Sequence, residues 1–143
     1  MGKKKIVTKS EEGAEASAEA TKSTSLKKRV DVGILNVEST YNNTKLVLAD
    51  KKGNVVGFSS AGALGFKGAK KGTPFAAAKV GETLGQVAQN LGMKEVSVVV
   101  KGVGSGRESG IRGFISKGVT ITAIKDATPV PHNGPKKKKP RRV

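Results

Sequence analysis

The residues with the plainest chemistry in this chain are cations. The final segment, HNGPKKKKPRRV, holds Lys136, Lys137, Lys138, Lys139, Arg141 and Arg142 and no carboxylate. Ammonium and guanidinium groups in such a run do not break bonds. They displace counterions from a polyanion, a phosphodiester backbone above all. Pro135 and Pro140 bracket the lysines and forbid a stable helix, so residues 132–143 are expected to form an extended basic arm, beginning at His132, Asn133 and Gly134. A solubilising tail or a localisation patch would look similar in composition.

Two upstream segments set the same chemistry among glycines. In Gly65-Phe66-Lys67-Gly68-Ala69-Lys70-Lys71-Gly72, Lys67, Lys70 and Lys71 have no acidic neighbour in sequence. A solvated surface loop is the plain alternative to a nucleic-acid contact. In Lys101-Gly102-Val103-Gly104-Ser105-Gly106-Arg107-Glu108-Ser109, an expected strand runs into an expected helix. Glycines such as Gly104 and Gly106 let backbone approach a phosphate, and a helix N-terminus offers unpaired N–H groups and partial positive charge. Arg107 and Arg112 add guanidinium forks suited to bidentate phosphate contacts. The dinucleotide fingerprint fails because Arg stands at position 107 where it needs Gly, and no nucleotide-hydrolysis loop occurs.

Catalytic constellations are not expected. His132 is the single histidine and lies in the basic tail between Pro131 and Asn133, a poor place for a general base. Asp31, Asp50, Glu82, Glu95, Glu108 and Asp126 are scattered over strand ends and helices, whereas a metal-dependent nuclease needs several carboxylates converging on one edge. The expectation is a non-enzyme without cofactor, metal or small-molecule substrate. Aromatics are 3% of the chain. Tyr41 and Phe66 fall in expected loops, while Phe58, Phe75 and Phe114 are expected in the core. A base-stacking platform is therefore not expected, and affinity should come from phosphate contacts and shape.

The elements that must position these groups are modest. Lys and Arg number 27 against 11 Asp and Glu, a formal net charge of +16. That excess draws polyanions, nucleic acid first and anionic membrane second. No apolar run of about 18 residues is present to span a bilayer. The basic start MGKKKIVTKSEEGAEASAEATKSTS lacks the apolar stretch of a secretory signal, so the Asn42-Asn43-Thr44 sequon carries no weight. There are no cysteines, which fits a reducing compartment.

Three zones follow. Residues 1–29, with 8 basic and 4 acidic side chains and few large apolar ones, are expected to be a disordered tail. Residues 30–131 carry the periodic apolar pattern and form the domain. Residues 132–143 are the arm. Within the domain, strands are expected around Val30–Asn36, Thr44–Ala49 and Val55–Ser59, with a turn at Asp50–Asn54. Ala61–Gly72 is expected to be a mobile loop. Thr73-Pro74 opens a helix with a stripe of Phe75, Val80, Leu84, Val87, Ala88 and Leu91, stopped by Gly92. Val96 and Val98–Val100 form a strand whose near-continuous apolar run implies cover on both faces. Arg107–Lys117 is a second helix and Val119–Lys125 a last strand. The order β-β-β-α-β-α-β implies an α/β mixed sheet with helices packed on it.

Five runs then stand in register: Tyr41-Asn42-Asn43-Thr44, Gly65-Phe66-Lys67-Gly68, Thr73-Pro74-Phe75-Ala76-Ala77, Val100 through Ser109, and Asp126 through Gly134. Together with Arg141-Arg142-Val143 they resemble the universal small-subunit ribosomal protein eleven family in its bacterial form, over residues 30–143. The resemblance implies a ribonuclease H-like fold and a structural, cytoplasmic role on the ribosome. It places the chain on the small-subunit platform, where the family bridges rRNA helices. It implies a position beside the cleft that holds the messenger's Shine–Dalgarno duplex, in contact with ribosomal proteins seven and eighteen. It carries rRNA contacts onto Asn42, Asn43, Thr44, Lys67, Lys70, Lys71, Lys101, Arg107, Arg112 and the tail from His132. Val103 and Ser105 stand where bacterial members usually have prolines, and Pro135 where they often have cysteine. A free-standing nucleoid or RNA-chaperone protein would share the charge signature and differ in whether it sediments with small subunits.

Overall fold

A computed structural model describes residues 29–143, so the expectation of disorder for residues 1–28 lies outside the described residues. Five strands, β1 (Val32–Ser39), β2 (Thr44–Asp50), β3 (Val55–Ser60), β4 (Glu95–Lys101) and β5 (Thr120–Asp126), build one sheet in the order β3-β2-β1-β4-β5. Helix α1 (Pro74–Asn90) joins β3 to β4, and α2 (Gly106–Ile115) joins β4 to β5. β1, β2 and β3 pair antiparallel through short turns, while β4 runs parallel to β1 and β5 parallel to β4. The mixed α/β sheet with two helices agrees with the sequence-based expectation.

Local chemistry sets the element ends. In the β2–β3 turn the Asp50 carboxylate accepts from the backbone N–H groups of Lys52 and Asn54 and from the Asn54 side-chain amide. The Asn54 N–H does most to hold that carboxyl below its ordinary range. Gly53 supplies the left-handed φ of +92° that closes the turn. Thr73 Oγ1 accepts from Ala76 N at the start of α1 with Pro74 in the first turn. Gly92, at φ +73°, ends that helix by donating to Gln89 O.

Both helices cover the same sheet face. Leu35, Val37, Leu46, Leu48, Val96, Val98 and Val100 point into it and meet Val80, Leu84 and Phe114. Along β1 burial alternates, with Gly33, Leu35, Val37 and Ser39 buried and Val32, Ile34 and Asn36 half-buried on the other side. This corrects the expectation for β4. Its run of valines is not covered on both faces, because Val99 lies half-exposed on the open side in register with Asn36, Val47 and Phe58. Phe58 is accordingly 71% exposed and not core, and Phe75, in the first turn of α1, is 64% exposed. Phe114 is fully buried as expected.

Small residues let the helices approach to backbone contact. A Cβ on Gly81 would strike the Gly110 carbonyl oxygen and lie 2.8 Å from Phe114 N; one on Gly113 would strike the Ala78 carbonyl. The buried face of α1 is thus Ala76, Ala77, Val80, Gly81, Leu84, Gly85 and Ala88, not the stripe of large side chains alone. Gly106 seats the start of α2 against Ala77, where a Cβ would come within 2.8 Å of the Ala77 Cβ.

The segment 61–72, expected to be a mobile loop, is a built turn. Buried Ala61 donates to Thr44 O, Phe66 N donates to Ala61 O, and the Phe66 side chain packs against the core. Gly68–Gly72 then winds into a 3-10 turn. At the opposite edge, β5 is exposed along almost its whole length, with Ile124 63% exposed. A bulge opposite Val96 and Ser97 leaves Thr122 out of the ladder. Among the described residues nothing pairs with the outer side of β5.

Candidate nucleic-acid interface

β1 ends at Ser39, β3 at Ser60, β4 at Lys101 and β5 at Asp126, while β2 begins at Thr44. The pairing directions put all five of these points at one end of the sheet. Three connections and the start of the arm therefore meet there. Their backbones interlock: Thr40 N donates to Asn43 O, Gly104 N donates to Ser39 O at 2.9 Å, and Ser105 Oγ donates to Gly72 O at 2.8 Å. A Cβ on Gly72 would strike the Tyr41 carbonyl, and one on Gly104 the Thr40 carbonyl. Loops 40–43, 68–73 and 102–105 are held as one surface.

Ser105 donates its hydroxyl to Gly72 O, and with helical backbone dihedrals (φ −68°, ψ −14°) it gives α2 no side-chain cap. The first-turn amides of α2 have no hydroxyl cap, and the one carboxylate in that turn is Glu108. Glu108 lies in the first turn and pairs loosely with Arg112 at 3.5 Å, both side chains largely in solvent.

The sequence-selected residues divide into two groups. Asn42, Lys67, Lys70, Lys101, Arg112 and the arm from His132 through Asn133, Gly134, Lys136, Lys137, Lys138, Lys139, Arg141 and Arg142 are exposed, and Lys71 is half-buried. Asn43 is half-buried, with its Oδ1 enclosed and unpartnered among the described residues. Thr44, Gly104 and Gly106 face inward. Thr44 is fully buried with its hydroxyl 3.4 Å from Ser39 Oγ, and the two glycines pack on Ser39, Thr40 and Thr44. These three shape the surface and do not project from it.

Arg107 is also turned to internal use. Its Nη1 donates to Gly102 O at 2.8 Å, and its Nη2 donates to Asp126 Oδ2 at 2.6 Å. The other oxygen of Asp126 accepts from Thr128 N at 3.0 Å and from Thr128 Oγ1 at 2.6 Å. Asp126 thus ties the glycine loop to Thr128, in the segment that leads from β5 toward the arm. The pattern Asp-Ala-Thr-Pro is an Asx-turn signal, so Asp126 and Thr128 were legible as a turn, though not as partners of Arg107. Nothing in the local sequence marks the Ser105–Gly72 bond, which joins residues 33 apart.

The Thr128 hydroxyl first, the Arg107 guanidinium next and the Thr128 backbone N–H after it hold the Asp126 carboxyl well below the usual carboxylate range. A carboxyl so lowered adds stability that is complete above its unfolded value of about 3.9 and is lost as pH falls through the folded value. Asp126→Asn is therefore expected to lower the thermal midpoint at about pH 7 and to shrink the difference between the two chains as acid is added toward about pH 2. Thermal unfolding across that range checks this. Curves that stay parallel would show that the carboxylate does not tie loop to arm.

Cations on an interlocked rim, beside an exposed cationic arm, suit contact with a large folded polyanion, the chemistry of a nucleic-acid-binding scaffold. The chain belongs to the Ribosomal protein S11 family, whose sequence model matches residues 33–142. It is accordingly an rRNA-binding protein of the small ribosomal subunit, acting in translation, in a family that is structural rather than catalytic. Among the described residues, the matched span takes in the strands and both α-helices, save Val32 at the start of β1, and the basic arm up to Arg142, in agreement with the resemblance seen in the sequence. No helix among the described residues is long and apolar enough to cross a membrane.

Proposed function

We propose that this chain sits on the platform of the small subunit of the cytoplasmic ribosome. There it bridges separate rRNA helices, helps wall the cleft that holds the Shine–Dalgarno duplex, and lies against ribosomal proteins seven and eighteen. The ribonuclease H-like reading of the sheet belongs to the same proposal, here as a framework without catalytic use. The observation that carries the reading is the convergence of loops 40–43, 68–73 and 102–105 at the very end from which the arm departs. The rim gives a rigid contact to one RNA element. The arm of residues 132–143 has a reach of about 40 Å at about 3.3 Å per residue, enough to engage a second element and screen the repulsion between the two.

In this reading Asn42, Asn43, Lys67, Lys70, Lys71, Lys101 and Arg112 contact phosphate and sugar. The uncapped start of α2 accepts a phosphate, and Thr44, Gly104, Gly106 and Arg107 fix the loops that do so. The arm from His132 to Arg142 follows the backbone. Sedimentation of cell lysate tests the role. The chain is expected to co-migrate with small subunits, and cross-links from the arm and rim are expected to fall on platform rRNA. A chain found free or on the nucleoid would overturn the proposal in favour of an independent nucleic-acid chaperone.

A further inference from the structure

Two phenylalanines, Phe58 and Phe75, lie where the sequence did not put them, and the second carries chemistry beyond phosphate contact. Phe75 occupies the first turn of α1, three residues after the basic 3-10 turn that holds Lys70 and Lys71. Its ring is 64% exposed. It stands edge-to-face with Phe66, centroids 6.1 Å apart at 80°, and Lys79 Nζ lies 5.8 Å from its centroid. Leu64, Phe66, Phe75, Lys79 and Thr83 line one open concavity. Phe75 is the second residue of the helix, whereas a hydrophobic staple would use the fourth, Ala77, so stapling does not explain the ring. Burial does not explain the ring either, since most of it faces solvent.

We infer that Phe75, braced by Phe66, is a stacking site for one unpaired nucleobase of the rRNA, whose phosphates are held by Lys67, Lys70, Lys71 and Lys79. This deepens the rRNA-binding reading and rests on it. The occupant follows from the surroundings. The ring is an apolar face, and the charged side chains nearest in the chain, Lys67, Lys70, Lys71 and Lys79, are balanced only by Glu82, which pairs with Lys79 at 3.2 Å. A nucleotide offers just such a combination, a flat π-face and an anion on one residue. An aliphatic protein surface would leave the lysines without partners. The Phe66 contact orients the ring in advance, so little side-chain freedom is lost when a base settles on it.

Three chains test the site, each at full length: wild type, F75L and F75W. F75L keeps apolar bulk and loses the π-face; F75W keeps the face and supplies the only tryptophan in the chain. Each is titrated against purified small-subunit rRNA at several salt concentrations, with thermal unfolding as the measure of fold. Stacking predicts that F75L binds roughly 5- to 150-fold more weakly than wild type. Its slope of log affinity on log salt should not change, because no phosphate contact is removed. F75W should bind as wild type does, with its fluorescence quenched on the RNA. Equal affinity of F75L and wild type overturns the stacking site while leaving the rRNA reading intact. If F75L binds bare rRNA normally but enters reconstituted subunits poorly, the patch is a protein contact and the inference is wrong. If wild type itself shows no affinity for the rRNA, the underlying reading fails, and the site with it.

Discussion

Replacing Lys136, Lys137, Lys138 and Lys139 together by alanine is expected to weaken rRNA binding on the order of 10²-fold at physiological salt and to flatten its salt dependence. The size follows from counterion release. Each neutralised phosphate contributes about 0.7 to 0.9 to the slope of log affinity on log salt, so four lysines that all reach phosphates account for about three units of slope. The lysines lie in an exposed arm with no hydrogen bond to the folded domain, between Pro135 and Pro140. Their loss should therefore leave the thermal midpoint where it was. A filter-binding titration over a range of salt concentrations reads both quantities. A full-size slope in the substituted chain would mean that the arm does not touch RNA, and that the rim alone holds it.

The largest effect on the fold is expected from Gly81→Ala. A single methyl group there meets the Gly110 carbonyl oxygen and the Phe114 amide, which are backbone atoms of α2 and cannot swing aside. The helices must separate, and Phe114, the largest fully buried side chain, loses contacts on that side. Overpacking of this kind costs about 1–3 kcal/mol, occasionally more, a large part of the stability of a domain this size. Chemical denaturation measures it. Gly62→Ala is the comparison, because its nearest neighbour would be Lys71 Cδ at 3.8 Å and a small change is expected. A G81A chain with an unaltered midpoint would show that the helices do not approach as closely as described. Binding should suffer only as the start of α2 shifts away from Ala77 and from the rim.

Much of this architecture is written in short-range chemistry. The Asp50–Asn54 turn, the Thr73-Pro74 helix start and the Gly92 stop each rest on contacts within a few residues, and each lies where its residue types put it. The basic segments are as plain in the sequence as on the surface. What the sequence hides is which way a side chain faces when both choices are apolar. Val99 looks like Val98 and Val100 in sequence, yet register places it on the open side of the sheet. Phe58 follows Val99 because the edge strand shares that register, and Phe75 is exposed because the stripe of α1 turns on alanines and glycines that give little hydrophobic signal. The inward turn of Arg107 is hidden for a related reason: its partner Asp126 lies 19 residues away, across a helix and a strand.

The outer edge of β5, unpaired among the described residues, bears on the life of the protein before assembly. A seven-residue strand whose outer N–H and C=O groups have no partner among the described residues, with a protruding Ile124, is a template on which other chains can pair. Thr122 in its bulge and Lys125 near its end are modest guards against this. Copies synthesised beyond the supply of their RNA are therefore expected to clump or be degraded, which makes prompt incorporation and matched production a matter of solubility as well as economy.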